Sequence, residues 1–112
     1  MYFINLDQCG RRELLPGVHI TTTWGESIMM SFLDLEPLAV IPEHSHPQEQ
    51  MGMVLEGSFQ LTIGGESRTV CAGDVYLIPS NVLHSVTNGE GRARALDIFS
   101  PPREDYKFEQ GG

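Results

Sequence analysis

The run Pro42-Glu-His-Ser-His-Pro-Gln-Glu-Gln-Met-Gly-Met-Val-Leu-Glu-Gly57 decides how the chain folds. His44 and His46 are two residues apart, so on an extended strand both imidazoles leave the same face, and Gln50 returns to that parity four residues later. Three candidate ligands therefore converge within one short segment. A fourth follows in Gly73-Asp-Val-Tyr-Leu-Ile-Pro79-Ser-Asn-Val-Leu-His84, where a strand runs into a Pro-Ser-Asn turn and His84 begins the return.

Outward from these two stretches, apolar residues alternate with polar ones in short runs bounded by Gly, Pro and Asn, the pattern of a small all-β sandwich or barrel. The expected strands are Tyr2 to Leu6, Val18 to Trp24, Ile28 to Leu35, Gln50 to Leu55, Ser58 to Ile63, Ser67 to Cys71, Asp74 to Ile78, Leu83 to Thr87 and Arg92 to Phe99. Gly64-Gly65 supplies the positive φ of a tight hairpin, and Glu56-Gly57 offers a second such connection. The 112 residues make one domain (1–112) with no repeat or linker, and the tail at 108–112 is expected to be disordered.

A net charge of −8 and a pI near 4.8, with no cluster of Lys or Arg, argue against a nucleic-acid partner. An anionic ligand would then need a local positive charge, which a metal ion can supply. The opening Met-Tyr-Phe-Ile-Asn-Leu-Asp-Gln lacks the basic and long apolar regions of a signal peptide, and no later stretch is long and apolar enough to span a bilayer. A cytoplasmic protein without membrane contact is the expectation. Cys9 and Cys71 lack a CxxC spacing and read as free thiols.

The two motifs together resemble the cupin superfamily. His44, His46, position 50 and Gly57 meet its first motif, and Gly73, Pro79, position 81, His84 and Asn88 meet its second. The resemblance implies a single-domain cupin, a double-stranded β-helix or jelly-roll barrel with its core over about residues 35–100. It also implies one divalent metal ion on His44, His46, Gln50 and His84. Two positions depart from the pattern. Asn81 stands where Gly is usual, and Asn is the residue that best tolerates positive φ after Gly. Gln50 stands where Glu is usual, and a neutral amide leaves the full charge of a metal facing its open positions. That favours Lewis-acid work on an oxygen-rich anion. Nothing in the ligand set selects among Ni, Fe, Mn, Zn and Co.

In Arg92 to Phe99 one strand face carries Ala93, Ala95, Asp97 and Phe99, where the small alanines leave room beside the acid. Asp97 is thus a candidate for lining a cavity, or else it sits in solvent or pairs with Arg94 or Arg103. His19 alternates with Val18 and Ile20 in an ordinary strand and is left out of the site. Met51 and Met53 face away from Gln50, into a core or a partner.

The sequence is similar, over about residues 35–107, to the small single-domain cupins of the pectin-degradation type, the KdgF family. The stretches that carry this likeness are His-Ser-His-Pro-Gln-Glu-Gln at 44 to 50, Val-Leu-Glu-Gly at 54 to 57 and Asp-Ile-Phe-Ser-Pro-Pro-Arg-Glu-Asp-Tyr at 97 to 106. The resemblance implies metal-dependent ring opening of 4,5-unsaturated monouronates, with Asp97 as acid/base, Arg103 on the substrate carboxylate and Phe99 as an apolar wall. It also implies a homodimer. An iron-dependent cupin dioxygenase and a non-catalytic module that binds a sugar or small acid are the alternatives.

Overall fold

Ten strands account for nearly all the regular structure of residues 2–109, the part that the computed structural model describes. They are β1 (Arg11–Leu15), β2 (Val18–Trp24), β3 (Met29–Leu35), β4 (Val40–His44), β5 (Glu49–Glu56), β6 (Ser58–Ile63), β7 (Glu66–Cys71), β8 (Val75–Ile78), β9 (His84–Asn88) and β10 (Ala93–Ser100). All pairings are antiparallel. A six-stranded sheet in the order β1-β2-β3-β10-β5-β8 faces a four-stranded sheet in the order β4-β9-β6-β7. This is the expected all-β cupin architecture.

Each strand sends alternate side chains inward, as the period of a pleated strand requires. On β3 these are Met29, Ser31, Leu33 and Leu35, and on β10 Ala93, Ala95, Asp97 and Phe99, all buried. The inward rows are graded along the barrel. One end holds the hydrophobic core, including Val18, Leu35, Val54, Phe59, Leu61, Val70, Ala93 and Ala95. The other end is polar: β5 runs from Val54 through Gly52 to Gln50, and β9 from Val86 to His84. The apolar end supplies the burial that stabilises the fold, and the polar end is held rigid by it.

The turns use the residues their backbone demands. Gly64 and Gly65 have φ of 56° and 84° between β6 and β7, the left-handed pair of a two-residue hairpin. Asn81 has φ of 65° before β9, as its amide side chain allows. Cys9 and Cys71 are free.

One expected strand is corrected, and two strands form where none was expected. Tyr2 to Leu6 is not a strand: residues 2–5 have no regular structure, and Leu6–Gln8 forms a 3-10 turn capped by Asn5, whose Oδ1 accepts from the Asp7 amide at 3.1 Å. The edge strand is instead β1, whose five residues are all exposed, so it carries no buried alternation to read. The second unforeseen strand, β4, contains Pro42 and lies at the edge of its sheet, where a missing N–H breaks no ladder. Met51 and Met53 do face away from Gln50, but outward into solvent and not into the core. In the expected tail Phe108 packs against Tyr106 and under Arg12, Glu109 is exposed, and residues 110–112 lie outside the described residues.

Candidate metal centre

Three imidazoles meet at the polar mouth of the barrel because two adjacent strands of one sheet deliver two of them and the loop into β5 delivers the third. His44 on β4 and His84 on β9 are register partners, and their ring centroids are 4.1 Å apart. His46, buried just beyond β4, places its ring 5.0 Å from that of His84 and 6.0 Å from that of His44. A nitrogen of each ring lies within 4.8 Å of one from both others. The chain after β8 turns so that the Asn81 amide donates to the His46 carbonyl at 2.8 Å, which ties the second motif to the first.

Whether these groups suit a metal depends on which ring nitrogen carries the proton. Nδ1 of His44 lies 2.8 Å from the carbonyl of Pro42, Nδ1 of His46 3.0 Å from that of Gln48, and Nδ1 of His84 2.9 Å from that of Val82. A carbonyl oxygen only accepts, so each Nδ1 is the donor, which leaves Nε2 as the nitrogen whose lone pair can be turned toward the centre. Burial pushes the pKa of His84 down to about 4 and lowers that of His46, with the Arg103 charge adding to both shifts. Both rings are therefore neutral at pH 7.

Gln50, at the inner end of β5, is oriented by its neighbour on β10. Its Nε2 donates to Asp97 Oδ1 at 2.9 Å, which turns Oε1 to within 3.1 Å of His46 Nε2. With the His46 proton on Nδ1, that second contact brings two lone pairs face to face. A cation between them converts the conflict into coordination. Three imidazole nitrogens and one amide oxygen, all acceptors, make a donor set that fits one borderline divalent ion.

Asp97 is buried and carries neither of the pairings with Arg94 or Arg103 weighed from the sequence. Its Oδ1 accepts from Gln50 and from the Tyr76 hydroxyl at 2.7 Å, while Arg94 pairs with Asp34 on the outer face of the sheet. Burial raises the Asp97 pKa above the usual carboxylate range, against the opposing effect of its two donors. Tyr76 is shifted well above an ordinary phenol by burial and by Asp97, so it remains a donor.

Phe99 presents its edge to the His46 ring at 5.5 Å and to Tyr106 at 5.9 Å, which makes it a wall of the same mouth. Arg103 closes that mouth. Its guanidinium lies 3.8 Å from the Tyr106 ring centroid and 5.4 Å from that of Phe99, and Nη2 is 2.9 Å from Asp105 Oδ2. Thr22 anchors the segment by donating to the Tyr106 carbonyl at 2.6 Å. The cavity beneath has a volume of about 60 Å³, with His44, Gln50, His84, Asp97 and Arg103 in its lining.

All seven residues singled out from the sequence thus lie around one cavity or its mouth. Tyr76 and Tyr106 join them without having been foreseen. Tyr106 closes a stretch already noted for its likeness. The available signal for Tyr76 was Gly52, an isolated glycine inside a strand, which marks a close approach by another group. His19 lies apart, its Nε2 2.7 Å from Glu36 and 3.7 Å from Glu13.

Comparison with known proteins agrees with this geometry. The cupin domain family matches residues 31–99. The pectin degradation protein KdgF of Dickeya dadantii (strain 3937) is 34% identical over 107 residues, covering 94% of this chain and 96% of that protein. The structure of KdgF from Halomonas sp. superposes with a TM-score of 0.83 at 27% identity, covering 94% and 96% of the two chains. An RmlC-like cupin from Shewanella frigidimarina shares the fold at a TM-score of 0.87 and 24% identity, with 95% and 96% covered.

Proposed function

The chain belongs to the cupin family, and on that premise we propose that it opens the ring of 4,5-unsaturated monouronates, small anionic sugar acids from pectin or alginate, to give linear keto acids. The observation that carries this reading is the buried Asp97 carboxyl bonded to Gln50, the uncharged fourth donor beside three imidazoles. Near full-length similarity to a pectin degradation protein supports the substrate class.

A divalent transition metal ion (Ni, Fe, Mn, Zn or Co) held by His44, His46, His84 and Gln50 would supply positive charge to substrate oxygens. The proton moves through Asp97. Its carboxylate takes the proton of the hemiacetal hydroxyl as the ring C1–O bond breaks, giving an aldehyde at C1 and an enolate across C4, C5 and the former ring oxygen. The same proton is then delivered to C4, which becomes CH₂ as C5 becomes a ketone. Atoms and electrons balance within one molecule, so no oxidant or second substrate is needed. Burial makes Asp97 a stronger base than an exposed carboxylate, which suits a group that must both take and return a proton.

Arg103 is the positive charge for the uronate carboxylate, which it meets as a planar fork once released from Asp105. Ligand sites for small molecules span about 300–1,000 Å³. A sugar acid therefore sits across the mouth and displaces the Arg103–Tyr106 stack to reach the metal-binding groups. Phe99 closes the apolar side.

Mixing the metal-loaded protein with an unsaturated monouronate and following loss of the conjugated double bond against the spontaneous rate tests the reading. Rates no faster than spontaneous refute it, and oxygen consumption would point to a dioxygenase. The proposed setting is the cytoplasm; no helix among the described residues is long and apolar enough to cross a membrane. The proposed state is a homodimer. Met51, Met53, Val75, Leu77 and Ile98 are exposed side by side on the outer face of β10, β5 and β8, a patch suited to covering by a second copy. Sedimentation of wild type and Leu77→Lys as the same monomer would exclude that assembly.

A further inference from the structure

Tyr76, Gly52 and Asp97 form one row across β8, β5 and β10: Gly52 is the register partner of both the others. Tyr76 and Asp97 are thus two strand spacings apart, roughly 9.5 Å, a gap that a tyrosine can bridge and a shorter hydroxyl side chain cannot. Gly52 leaves the space above the middle strand empty. A Cβ there would overlap both the Tyr76 ring and Asp97 Oδ1. The tyrosine lies through this gap, and its hydroxyl donates to Asp97 Oδ1 at 2.7 Å.

Gln50 Nε2 donates to the same oxygen at 2.9 Å. Two donors on Oδ1 make it the oxygen that stays without a proton. Oδ2 accepts no hydrogen bond among the described residues, and Asp97 lines the cavity. A ring present only to fill space would serve as phenylalanine; here the hydroxyl has one partner, the carboxyl of the proposed acid/base.

We propose that Tyr76 is a positioning residue: by donating to Oδ1 across Gly52 it holds the Asp97 carboxyl so that Oδ2 is the atom that exchanges a proton with a ligand in the cavity. This rests on the ring-opening reading above, in which Asp97 shuttles the proton. The one hydrogen-bond partner of the Tyr76 hydroxyl is Asp97, so the effect of that hydroxyl on proton transfer passes through the carboxyl.

The test compares wild type, Tyr76→Phe, Asp97→Asn and the double variant, each metal-loaded, on an unsaturated monouronate. Tyr76→Phe should lower kcat about tenfold while KM and metal affinity stay within about twofold. In the Asp97→Asn background the same change should cost less than twofold, because the group it orients is gone. Asp97→Ser provides a second background should the asparagine variant not fold. Full kcat in Tyr76→Phe, or an equal loss in both backgrounds, overturns the proposal while leaving the ring-opening reading intact. A wild-type protein that does not accelerate the reaction removes that reading, and this inference with it.

Discussion

Gly52→Ala isolates the geometry of the Tyr76–Asp97 contact in a single methyl group. The new Cβ would come within 3.0 Å of Tyr76 Cζ and Cε1 and of Asp97 Oδ1, closer than real Cβ atoms approach their neighbours. Gly52 does not have a positive φ, so backbone strain contributes nothing and the whole penalty is steric. The ring and the carboxyl both lie in a packed interior, so relief requires them to move apart. That movement lengthens a 2.7 Å hydrogen bond beyond use. Overpacking of this kind costs about 1–3 kcal/mol, and loss of a buried hydrogen bond about 1 kcal/mol more. The sum, about 2–4 kcal/mol, corresponds to a fall of roughly 8–17 °C in Tm for a domain of this size. Urea unfolding of the metal-stripped protein measures it directly. Tyr76→Ala should cost less in the Gly52→Ala background than in wild type, so that the double variant is more stable than additivity allows. A Gly52→Ala protein within 0.5 kcal/mol of wild type, taking about that much as the noise of such comparisons, would refute the packing argument.

Asp97→Asn keeps the size of the side chain and should lower turnover about 10²-fold or more, with metal content by elemental analysis unchanged; loss of the metal would mark Asp97 as structural. Arg103→Lys retains charge but loses the planar fork, so KM for the uronate should rise about tenfold with kcat little altered. In metal-stripped protein, His84 has its pKa lowered from 6.5 to about 4, so between those values the unfolded chain binds the proton more readily than the native one. Its contribution to stability is present above pH 6.5 and is lost as pH falls through that window. Thermal melts should show a steeper decline there in wild type than in His84→Gln, and parallel profiles would contradict the assignment.

The candidate metal-binding residues were legible in sequence because they are clustered locally. His44 ends β4, His46 lies in the short connection and Gln50 opens β5 on the facing sheet, so the chain folds back over the mouth between them. His84 follows a turn whose residues announce it. The bounds of β6 were legible because it opens on alternating exposed and buried residues, and those of β2 because its β-branched Val, Ile and Thr form a continuous run. β1 was not legible, because no side chain in it is buried and its apolar Leu14 and Leu15 follow Arg11, Arg12 and Glu13. The Tyr2 to Leu6 run misled in the opposite sense. Its apolar Tyr2, Phe3 and Ile4 are exposed, so the burial that makes alternation informative is absent there. Asp97 was readable as facing a cavity, but its partners were not. They come from β5 and β8, and only the register between three strands places Gly52 where Tyr76 can cross it.

Each histidine at the barrel mouth takes its orienting carbonyl from a residue two positions away in its own segment: Pro42, Gln48 and Val82. The tautomer is therefore written into each short stretch and travels with it. The candidate metal donors lie on β4, β9, the start of β5 and the connection before it, while the residues proposed to meet a ligand lie on β8, β10 and the segment after it. The Gln50–Asp97 hydrogen bond and the edge contact of Phe99 with the His46 ring join the two sets. Divergence along the second set can retune what enters the mouth without rebuilding what holds the charge, so one scaffold can host many chemistries with few substitutions.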